Sequence, residues 1–456
     1  MELSRRAFLK RTGTIVAATA FGGIGLDVFQ PLLAAATTSL PSSGNLPLGT
    51  PIMVVIDLQG GNDSLDTLVP VNDPWYYDAG YGHGSLAIPP AKALALPGSG
   101  FGLHPSLVWL ADRWSTGGDV AFVPGAGERV KSEFSHFAAS LYRNAADFSG
   151  SEPLGWLGRY NDSVAPGSPF AAVSTLGLHP ALVGAQTTVL AVNDCASFSF
   201  NADYRWSYTP QFLQAVKTMG NGSGPPASAI AATVTAASRV QSSYNAGIGS
   251  GTGSGSAIAH QLAQAAMLIS AGLPCQTYVS SMTGFDTHGS ESWTHGDLLS
   301  QLDGGLKKFF SVIDASPRKN DVFVLLTSEF GRQVTQNASA GCDHGQGGLN
   351  LFVGGGVKRG VYGPLPNLNP GGPTRPNRLN DAMIPTVDFR SVYACGLNRL
   401  GGDANLTAAV LRGDFGDLGV FTGAAAPLPS TPPPPPPTPP ATSTTPTTQP
   451  VMTGQK

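Results

Sequence analysis

Short apolar runs alternate with longer amphipathic segments through most of the chain. The runs IMVVIDL (52–58), DVAFVPGAG (119–127), QTYVSSM (276–282), DVFVLLT (321–327) and LNLFVGG (349–355) have the length and composition of buried strands. The segments AIAHQLAQAAMLISAGL (257–273) and GDLLSQLDGGLKKFFSVID (296–314) carry apolar residues at helical spacing. This alternation predicts βαβ units, and hence an α/β fold with a mainly parallel sheet sandwiched by helices.

A further helix is predicted for SEFSHFAASLYRN (132–144), directly after the second strand. Ser132 is its expected N-cap, and Phe134, Phe137 and Leu141 lie on one apolar stripe. A helix N-terminus favours anions and can lower the pKa of a nucleophile, so Ser135 and His136 are candidate catalytic residues, with Ser135 as the nucleophile. The alternative is that Ser135 only caps the helix.

The two ends of the chain depart from this pattern. Residues 1–36 combine SRRAFLK (4–10) with a stretch rich in glycine and alanine that leads to LLAAATT (32–38), which predicts a cleaved twin-arginine export signal. Glycines and Asp27 interrupt the apolar stretch, so it predicts no stable transmembrane anchor, and an uncleaved signal anchor is the alternative. The expected location is periplasmic or extracellular, with the twin-arginine export machinery as a partner.

Between the ends, residues 48–422 are expected to form one large α/β domain with insertions. Residues 184–255, rich in Asn, Ser and Gly, predict an inserted cap region that ends in a flexible loop. Residues 423–456 are dominated by Pro and Thr and predict a disordered, extended tail.

The overall charge and the cysteines narrow the functional classes. The net charge is −3 and charged residues make up 12% of the chain, which excludes the basic footprint of a nucleic-acid-binding protein. The four cysteines show no CxxC spacing, and in an exported chain they could form two disulfides in any of three connectivities: Cys195, Cys275, Cys342 and Cys395. Cys342 is interpreted as a buried or bridged residue and not as a metal ligand.

Ionisable residues follow several of the predicted strands. GGND (60–63) follows the first strand, GFDTHG (284–289) the third, and SEFGR (328–332) and CDHG (342–345) the fourth. In open α/β sheets the carboxyl ends of parallel strands line one crevice, so these segments are expected to meet there.

Carboxylates and imidazoles in these segments are the ligand types of metal-dependent hydrolases. A bound divalent cation, for which zinc, manganese, magnesium and calcium are the candidates, would activate water for hydrolysis at neutral pH. Asp and His in glycine-rich loops also serve as helix caps and turn formers, which is the alternative for each residue, and for Asp63 in particular. The candidate ligands are Asp63, Asp286, His288, Glu329, Asp343 and His344.

Six motifs in a fixed order resemble a known family: VVIDLQGGNDSLDTLVPVNDPWYY, FGLHPSL, FSHF, FDTHGS, SEFGR and DHGQGG. Behind a twin-arginine signal, they are similar to the bacterial family called domain of unknown function 1501, over about residues 52–363. The resemblance implies an exported protein whose fold is similar to that of the alkaline phosphatase and sulfatase superfamily.

The same resemblance implies positions for a site. Asp63, Asp286 with His288, Glu329 and His344 occupy the metal-ligand stations of that superfamily, and Ser135 the position of its nucleophile. Two features depart from the pattern. The Asp-His pair after a later strand is here Glu329-Phe330, which removes one imidazole, and the spacing from Asp286 to His288 is shorter than usual.

The predicted function is that of an exported metal-dependent hydrolase acting on a small-molecule phosphate or sulfate ester. The alternative is a non-catalytic envelope protein that binds a glycan or cell-wall component. The missing imidazole at Phe330 and the aromatic segment FNADYRWSYTPQF (200–212) favour this alternative, in which the tail is a spacer.

Overall fold

The structure is a computed structural model that describes residues 15–17, 45–128, 133–195, 255–372, 375–376, 378–379 and 381–423, with isolated positions at 218, 238, 240 and 242. Three predictions lie largely outside the described residues. These are the export signal apart from 15–17, the inserted region beyond 195 and before 255, and the proline-rich tail beyond 423.

The described strands are short and mostly buried. In chain order they are β1 (Ile15–Ala17), β2 (Ile52–Gln59), β3 (Leu68–Val69), β4 (Leu94–Ala95), β5 (Gly102–Leu103), β6 (Val120–Gly127), β7 (Ala172–Ser174), β8 (Thr188–Ala191), β9 (Thr277–Thr283), β10 (Val322–Thr327), β11 (Gly348–Gly354), β12 (Gly360–Val361), β13 (Gly371–Gly372), β14 (Arg375–Pro376), β15 (Arg378–Leu379), β16 (Ala382–Met383) and β17 (Val387–Asp388).

The main sheet has the strand order β1-β8-β7-β9-β2-β10-β11-β6-β12, and β17 also pairs with β6. The central strands β8, β7, β9, β2 and β10 are parallel to one another. β11 is antiparallel to both of its neighbours, β10 and β6. The predicted α/β class with a mainly parallel sheet is confirmed, with β11 as the reversed strand.

Helices cover both faces of this sheet. They are α1 (Ser64–Thr67), α2 (Val108–Asp112, continuing as a π-helical turn over Arg113–Gly117), α3 (His136–Ala145), α4 (Trp156–Val164), α5 (Ala257–Ser270), α6 (Glu291–Ile313), α7 (Phe389–Arg399) and α8 (Ala404–Leu411). Side chains of β2 alternate between the layers. Ile52, Val54 and Ile56 pack with α2, α5 and α6, whereas Met53 and Val55 pack with α4, α7 and α8. Each such burial contributes about 1.5–3 kcal/mol.

The helix after β6 differs from its prediction. It begins at His136, and its N-cap is Ser135, whose Oγ accepts a hydrogen bond from Ala138 N at 3.5 Å; Ser132 lies outside the described residues. The predicted apolar stripe is wrong, because Phe137 is 83% exposed. The face that packs on the strand ends is formed instead by small residues and by Arg143, which donates to Glu329 O.

One edge of the sheet gathers the carboxyl ends of four strands. β2, β6, β9 and β10 run in the same direction, so the segments that follow them leave the sheet at this edge. Because β11 is antiparallel, it begins at the same edge, and the connection 328–347 starts and ends there. The predicted convergence of the polar segments is confirmed. Among the described residues, no helix combines the length and apolar character needed to cross a bilayer.

A candidate metal centre at the carboxyl edge of the sheet

Three imidazoles converge on one carboxylate oxygen at this edge. His136 begins α3, His288 follows β9, and His344 lies in the connection between β10 and β11. Their Nε2 atoms lie 3.2, 3.1 and 3.2 Å from Asp286 Oδ1. The Nε2 atoms of His288 and His344 are 2.8 Å apart. We call the set of His136, Asp286, His288 and His344 the outer cluster.

The other ring nitrogens of the outer cluster point away from its centre toward acceptors. His136 Nδ1 lies 2.8 Å from Glu329 Oε1, and His288 Nδ1 lies 2.8 Å from Asp343 Oδ1. His344 Nδ1 lies 2.6 Å from the carbonyl oxygen of Phe134. Ionised carboxylates and carbonyls accept but do not donate, so Nδ1 carries the proton in each ring. A neutral imidazole held in this way presents its Nε2 lone pair to the centre.

This arrangement fits a divalent cation. Lone pairs on three nitrogens and one carboxylate repel one another at these distances unless positive charge lies among them. Metal-bound histidines almost always donate their second N–H to a carboxylate or carbonyl, as all three rings do here. His136, Asp286 and His344 each offer a ligand atom within 4.8 Å of the other two.

The outer cluster is open to solvent, and its carboxylate stays ionised. The side chain of Asp286 is 48% exposed. Its partial burial raises the pKa, but the hydrogen bond and charge of Arg332 outweigh this and lower the pKa of Asp286 to about 2. The hydrogen bond from His288 lowers the pKa of Asp343. Burial lowers the pKa of His344, which favours the neutral ring that a metal requires.

Arg332 joins the loops that carry the outer cluster. Its buried guanidinium donates to Asp286 Oδ1 at 2.6 Å and to Phe285 O at 2.9 Å in the loop after β9. It also donates to Gly61 O at 2.8 Å after β2 and to Cys342 O at 3.0 Å. The sequence marks Arg332 only as one of several ionisable residues. An arginine directly after a glycine at the end of a buried strand was the available signal.

The loop after β2 packs so tightly on this region that it requires glycine. Gly60 has a φ of +119°, and a Cβ atom there would lie 2.4 Å from Asp286 N. Gly60 N donates to Glu329 Oε1 at 2.8 Å, so the same carboxylate orients both this loop and His136. A side chain at Gly60 would therefore displace the loop that carries Asp286.

Phe330 stands where the family resemblance implies a lost imidazole. Its ring centroid lies 4.9 Å from those of His136 and His344, so it packs against both. The third imidazole of the outer cluster comes from His136, on a different segment. The sequence indicated His136 as a catalytic candidate and not as a metal ligand.

The structure brings some of the predicted site residues together and separates others. Asp286, His288 and His344 form the centre, and Glu329 and Asp343 act as hydrogen-bond acceptors for its rings. Ser135 is exposed and caps α3. Asp63 lies apart from the outer cluster: it is buried, and its Oδ1 accepts from Leu65 N and Asp66 N, which is the capping role given above as its alternative.

The four cysteines are buried and form no disulfide. None of the three connectivities considered from the sequence is present: Cys195 follows β8, Cys275 precedes β9 and Cys395 lies in α7. Cys342 lies beneath the outer cluster, next to Asp343.

Comparisons with known proteins give one family and several distant structures. The family model described as "Protein of unknown function (DUF1501)" matches residues 150–399. No curated protein matches the chain.

Three of the solved structures that match are 9% identical to the chain. The C-terminal periplasmic domain of EcEptC from Escherichia coli in complex with Zn is covered over 76% of its length by 70% of this chain, at a TM-score of 0.31. For lipoteichoic acid synthase LtaP from Listeria monocytogenes, the match covers 82% of that protein and 86% of this chain, at a TM-score of 0.30. For alkaline phosphatase from the Antarctic bacterium TAB5, the match covers 95% of that protein and 69% of this chain, at a TM-score of 0.26. TM-scores this low support no argument about activity.

Proposed function

The chain belongs to the DUF1501 family of proteins of unknown function, as its motifs predicted, and we propose that it is an exported metal-dependent hydrolase of phosphate or sulfate esters. The observation that carries the proposal is the convergence of three imidazole Nε2 atoms on Asp286 Oδ1. Because the proteins of this family have no assigned activity, the proposal depends on the chemistry of the outer cluster alone.

The outer cluster supplies the ligands of the proposed ion. His136, His288, His344 and Asp286 would hold it, and three nitrogen donors favour zinc over manganese, magnesium or calcium, which prefer oxygen. When bound, such an ion supplies water that is activated at neutral pH and withdraws charge from an ester oxygen. Exposed faces of Asp286 and His288 leave room for a substrate to approach.

Residues around the ligands have defined tasks in this proposal. Glu329 and Asp343 hold two rings in the required tautomer, and Arg332 keeps Asp286 ionised and oriented. A cleft beside Phe330 is lined by Arg143 but also by Glu128, Glu133 and Glu329, so its charge does not favour an anionic ester. In this proposal the substrate therefore approaches the exposed side of Asp286 and His288.

Removal of a ligand tests the proposal. Full-length protein is purified from cells supplied with zinc and manganese, its metal content is measured, and hydrolysis is assayed on a panel of phosphate and sulfate esters. We expect His288→Ala to lose the metal ion of the outer cluster and at least about 100-fold of the hydrolysis rate, since even residues that only orient ligands cost 10–100-fold. His260→Ala is the matched control, because His260 lies on α5 and contacts Asn193 O. Absence of both metal and ester hydrolysis in the unaltered protein rejects the proposal.

Ser135 is the proposed nucleophile, since its exposed hydroxyl immediately precedes His136. We expect Ser135→Ala to abolish ester hydrolysis while the metal content stays unchanged. Hydrolysis that persists in this variant would leave Ser135 with its capping role alone and assign the attack to water.

Export is tested by the paired arginines near the N-terminus. We propose that Arg5 and Arg6 direct the folded chain to the twin-arginine machinery. Replacing both with lysine is expected to retain the protein inside the cell, as measured by fractionation, whereas Arg11→Lys, outside the arginine pair, is not expected to do so.

Exposed aromatic residues that follow His136 and His288 closely in the chain favour a second candidate function, glycan binding without catalysis. Trp293, in the first turn of α6, is 78% exposed, and Phe137 follows His136 directly. Exposed aromatic rings provide flat apolar surfaces with which sugar rings can stack. Binding on a glycan array that survives replacement of all four residues of the outer cluster, and is lost in Trp293→Ala, would favour this function over hydrolysis.

A further inference from the structure

A second group of ligand-type side chains lies buried beneath the outer cluster. Asp63, His83 and Cys342 each offer a ligand atom within 4.8 Å of the other two. They are at most 1% exposed. Asp63 comes from the loop after β2 and Cys342 from the connection between β10 and β11, so the group joins two of the loops that also build the outer cluster.

His83 is oriented as a metal-binding histidine would be. Its Nδ1 lies 2.5 Å from the carbonyl oxygen of Val334, which can only accept, so Nδ1 donates the proton. Its Nε2 faces Asp63 Oδ2 at 2.9 Å. Proton donation from Nδ1 to a backbone carbonyl is one of the usual partners of a ligating imidazole.

Glu291 supplies an independent indication of a missing partner. The residue is fully buried at the start of α6, and its Oε1 accepts from Thr287 Oγ1 at 2.8 Å. Among the described residues, its Oε2 has no hydrogen-bond partner. The thiol of Cys342, a weak donor, is the one group that lies within hydrogen-bond reach of the carboxyl group of Glu291 on this side among the described residues. A buried carboxyl oxygen left unpaired costs about 1–3 kcal/mol, which a bound cation at this point would offset.

We propose that Asp63, His83, Cys342 and Glu291 form a second, buried zinc site. Two oxygens, one nitrogen and one sulfur make a four-ligand set, and the thiolate and imidazole select zinc over magnesium or calcium. Binding of Zn²⁺ displaces the thiol proton of Cys342 and any protons on His83 Nε2 and Glu291, which pass to solvent. Closed four-ligand zinc sites are structural, so this ion stabilises the fold and takes no part in the reaction.

A simple ion pair between Asp63 and a protonated His83 explains less of the geometry. It accounts for the contact at 2.9 Å and for the nearby carboxylate of Asp66, whose Oδ1 lies 3.7 Å from His83 Nε2. It does not account for the unpaired Oε2 of Glu291 or for a thiol placed among three carboxylates. The ion pair is therefore the outcome that the experiment has to separate from zinc binding.

Short covalent links connect the buried site to the outer cluster. Cys342 adjoins Asp343, which orients His288, and Thr287, the partner of Glu291, lies between Asp286 and His288. Arg332 donates to the carbonyl oxygen of Cys342. A zinc ion in the buried site would thus fix the loops that position the outer ligands.

Removal of the outer ligands isolates the buried site for measurement. The full chain carrying His136→Ala, His288→Ala and His344→Ala is stripped of metal, reloaded with Zn²⁺ or Co²⁺ and dialysed. We expect one metal ion per chain to remain, and the cobalt form to show a thiolate-to-cobalt charge-transfer band in the near ultraviolet. Adding Cys342→Ser is expected to abolish the band, whereas Cys275→Ser, at another buried free thiol, leaves it unchanged.

Several outcomes overturn the proposal. Absence of retained metal in the triple variant does so, and so does a cobalt spectrum without a thiolate band or one that Cys342→Ser does not change. If Cys342→Ser does not fold, Glu291→Gln replaces it, with at least a tenfold weaker zinc affinity expected. Because all these readouts are metal content and spectra, a failure here leaves the proposed hydrolase untouched, and loss of hydrolysis leaves the buried site untouched.

Discussion

The outer cluster and the buried site use the same residue types at the same edge of the sheet, but their surroundings differ. Asp286 and His288 are about half exposed, whereas Asp63 and His83 are buried. In the outer cluster the ionised form of Asp286 is maintained, with a pKa of about 2 despite partial burial. At the buried site burial raises the pKa of Glu291 to about 9, so without a cation this carboxyl is neutral at pH 7. Exposure therefore distinguishes the outer cluster, which solvent reaches, from the buried site, which lies inside the fold.

The two regions are not independent, because Arg332 contacts the backbone of both. Lysine lacks the planar guanidinium group and its five N–H donors, so replacing Arg332 with lysine leaves several buried backbone carbonyls without a hydrogen-bond donor. We expect Arg332→Lys to lower the free energy of unfolding by about 3–5 kcal/mol, measured by urea denaturation. Arg390→Lys is the matched control, since the side chain of Arg390 donates to Asp388 at its own helix start and stacks on the rings of Phe148 and Phe415. Equal effects of the two substitutions would show that Arg332 does not join the loops.

Alkaline pH is expected to destabilise the metal-stripped protein through the buried site. Burial alone would lower the pKa of His83, but the charges of Asp63 and Asp66 raise it to about 10. Since this folded value is above the unfolded value of 6.5, the stabilisation is complete below pH 6.5 and is lost as the pH rises through 10. The loss should reach about 2 kcal/mol between pH 7 and pH 9.

Thermal or urea unfolding at several pH values measures this loss, and His83→Gln should flatten the curve in that range. The raised pKa of Glu291 acts in the same direction. Loading with Zn²⁺ should also flatten the curve, because a bound ion fixes the protonation of its ligands. A zinc-loaded protein that loses as much stability as the stripped one would contradict this expectation.

Substitutions of the two carboxylates that orient rings of the outer cluster should weaken metal affinity to different extents, because one carboxylate is buried and the other is exposed. Glu329 is buried and also accepts from Gly60 N, whereas Asp343 is half exposed. We expect Glu329→Gln to weaken metal affinity by about 10–100-fold. Asp343→Asn should have less effect, because water can replace its contact with His288. Isothermal titration with Zn²⁺ on both variants measures the difference, and equal losses would show that burial does not matter here.

The smallest expected effect on metal affinity comes from the packing of Phe330 against the rings of His136 and His344. Phe330→Leu keeps an apolar side chain but removes the ring contacts with His136 and His344. Aromatic contacts contribute about 0.5–1.5 kcal/mol each beyond area burial. We expect metal affinity to fall less than tenfold, whereas Phe323→Leu in the core should leave affinity unchanged and lower only stability.

Much of the fold and part of the site could be predicted from the sequence. Short continuous apolar runs located β2, β6, β9, β10 and β11, because strands buried on both faces consist mainly of apolar residues. Strand ends then indicated where Asp286, His288 and His344 would meet. These residues were identifiable because their position depends only on the direction of β9 and β10.

The remaining ligands depend on packing that the sequence does not display. His136 joins the outer cluster because β6 is the second neighbour of β10, across the reversed strand β11, and strand order is not visible in a local pattern. His83 and Glu291 carry no motif of their own. Asp63 was interpreted with the outer residues because its loop leaves the sheet at the same edge, yet its side chain turns inward to cap α1 and meet His83.

The reversal of β11 gives the segment 328–347 a property of its own. It leaves and rejoins the sheet at one edge, and it folds back on itself through hydrogen bonds from Gln333 N to Asp343 O and from Gly345 N to Gly331 O. This segment therefore holds five of the residues described above between two neighbouring strand ends: Glu329, Arg332, Cys342, Asp343 and His344. Because both of its ends lie at one edge of the sheet, the segment can be exchanged between related chains as a single unit in recombination experiments.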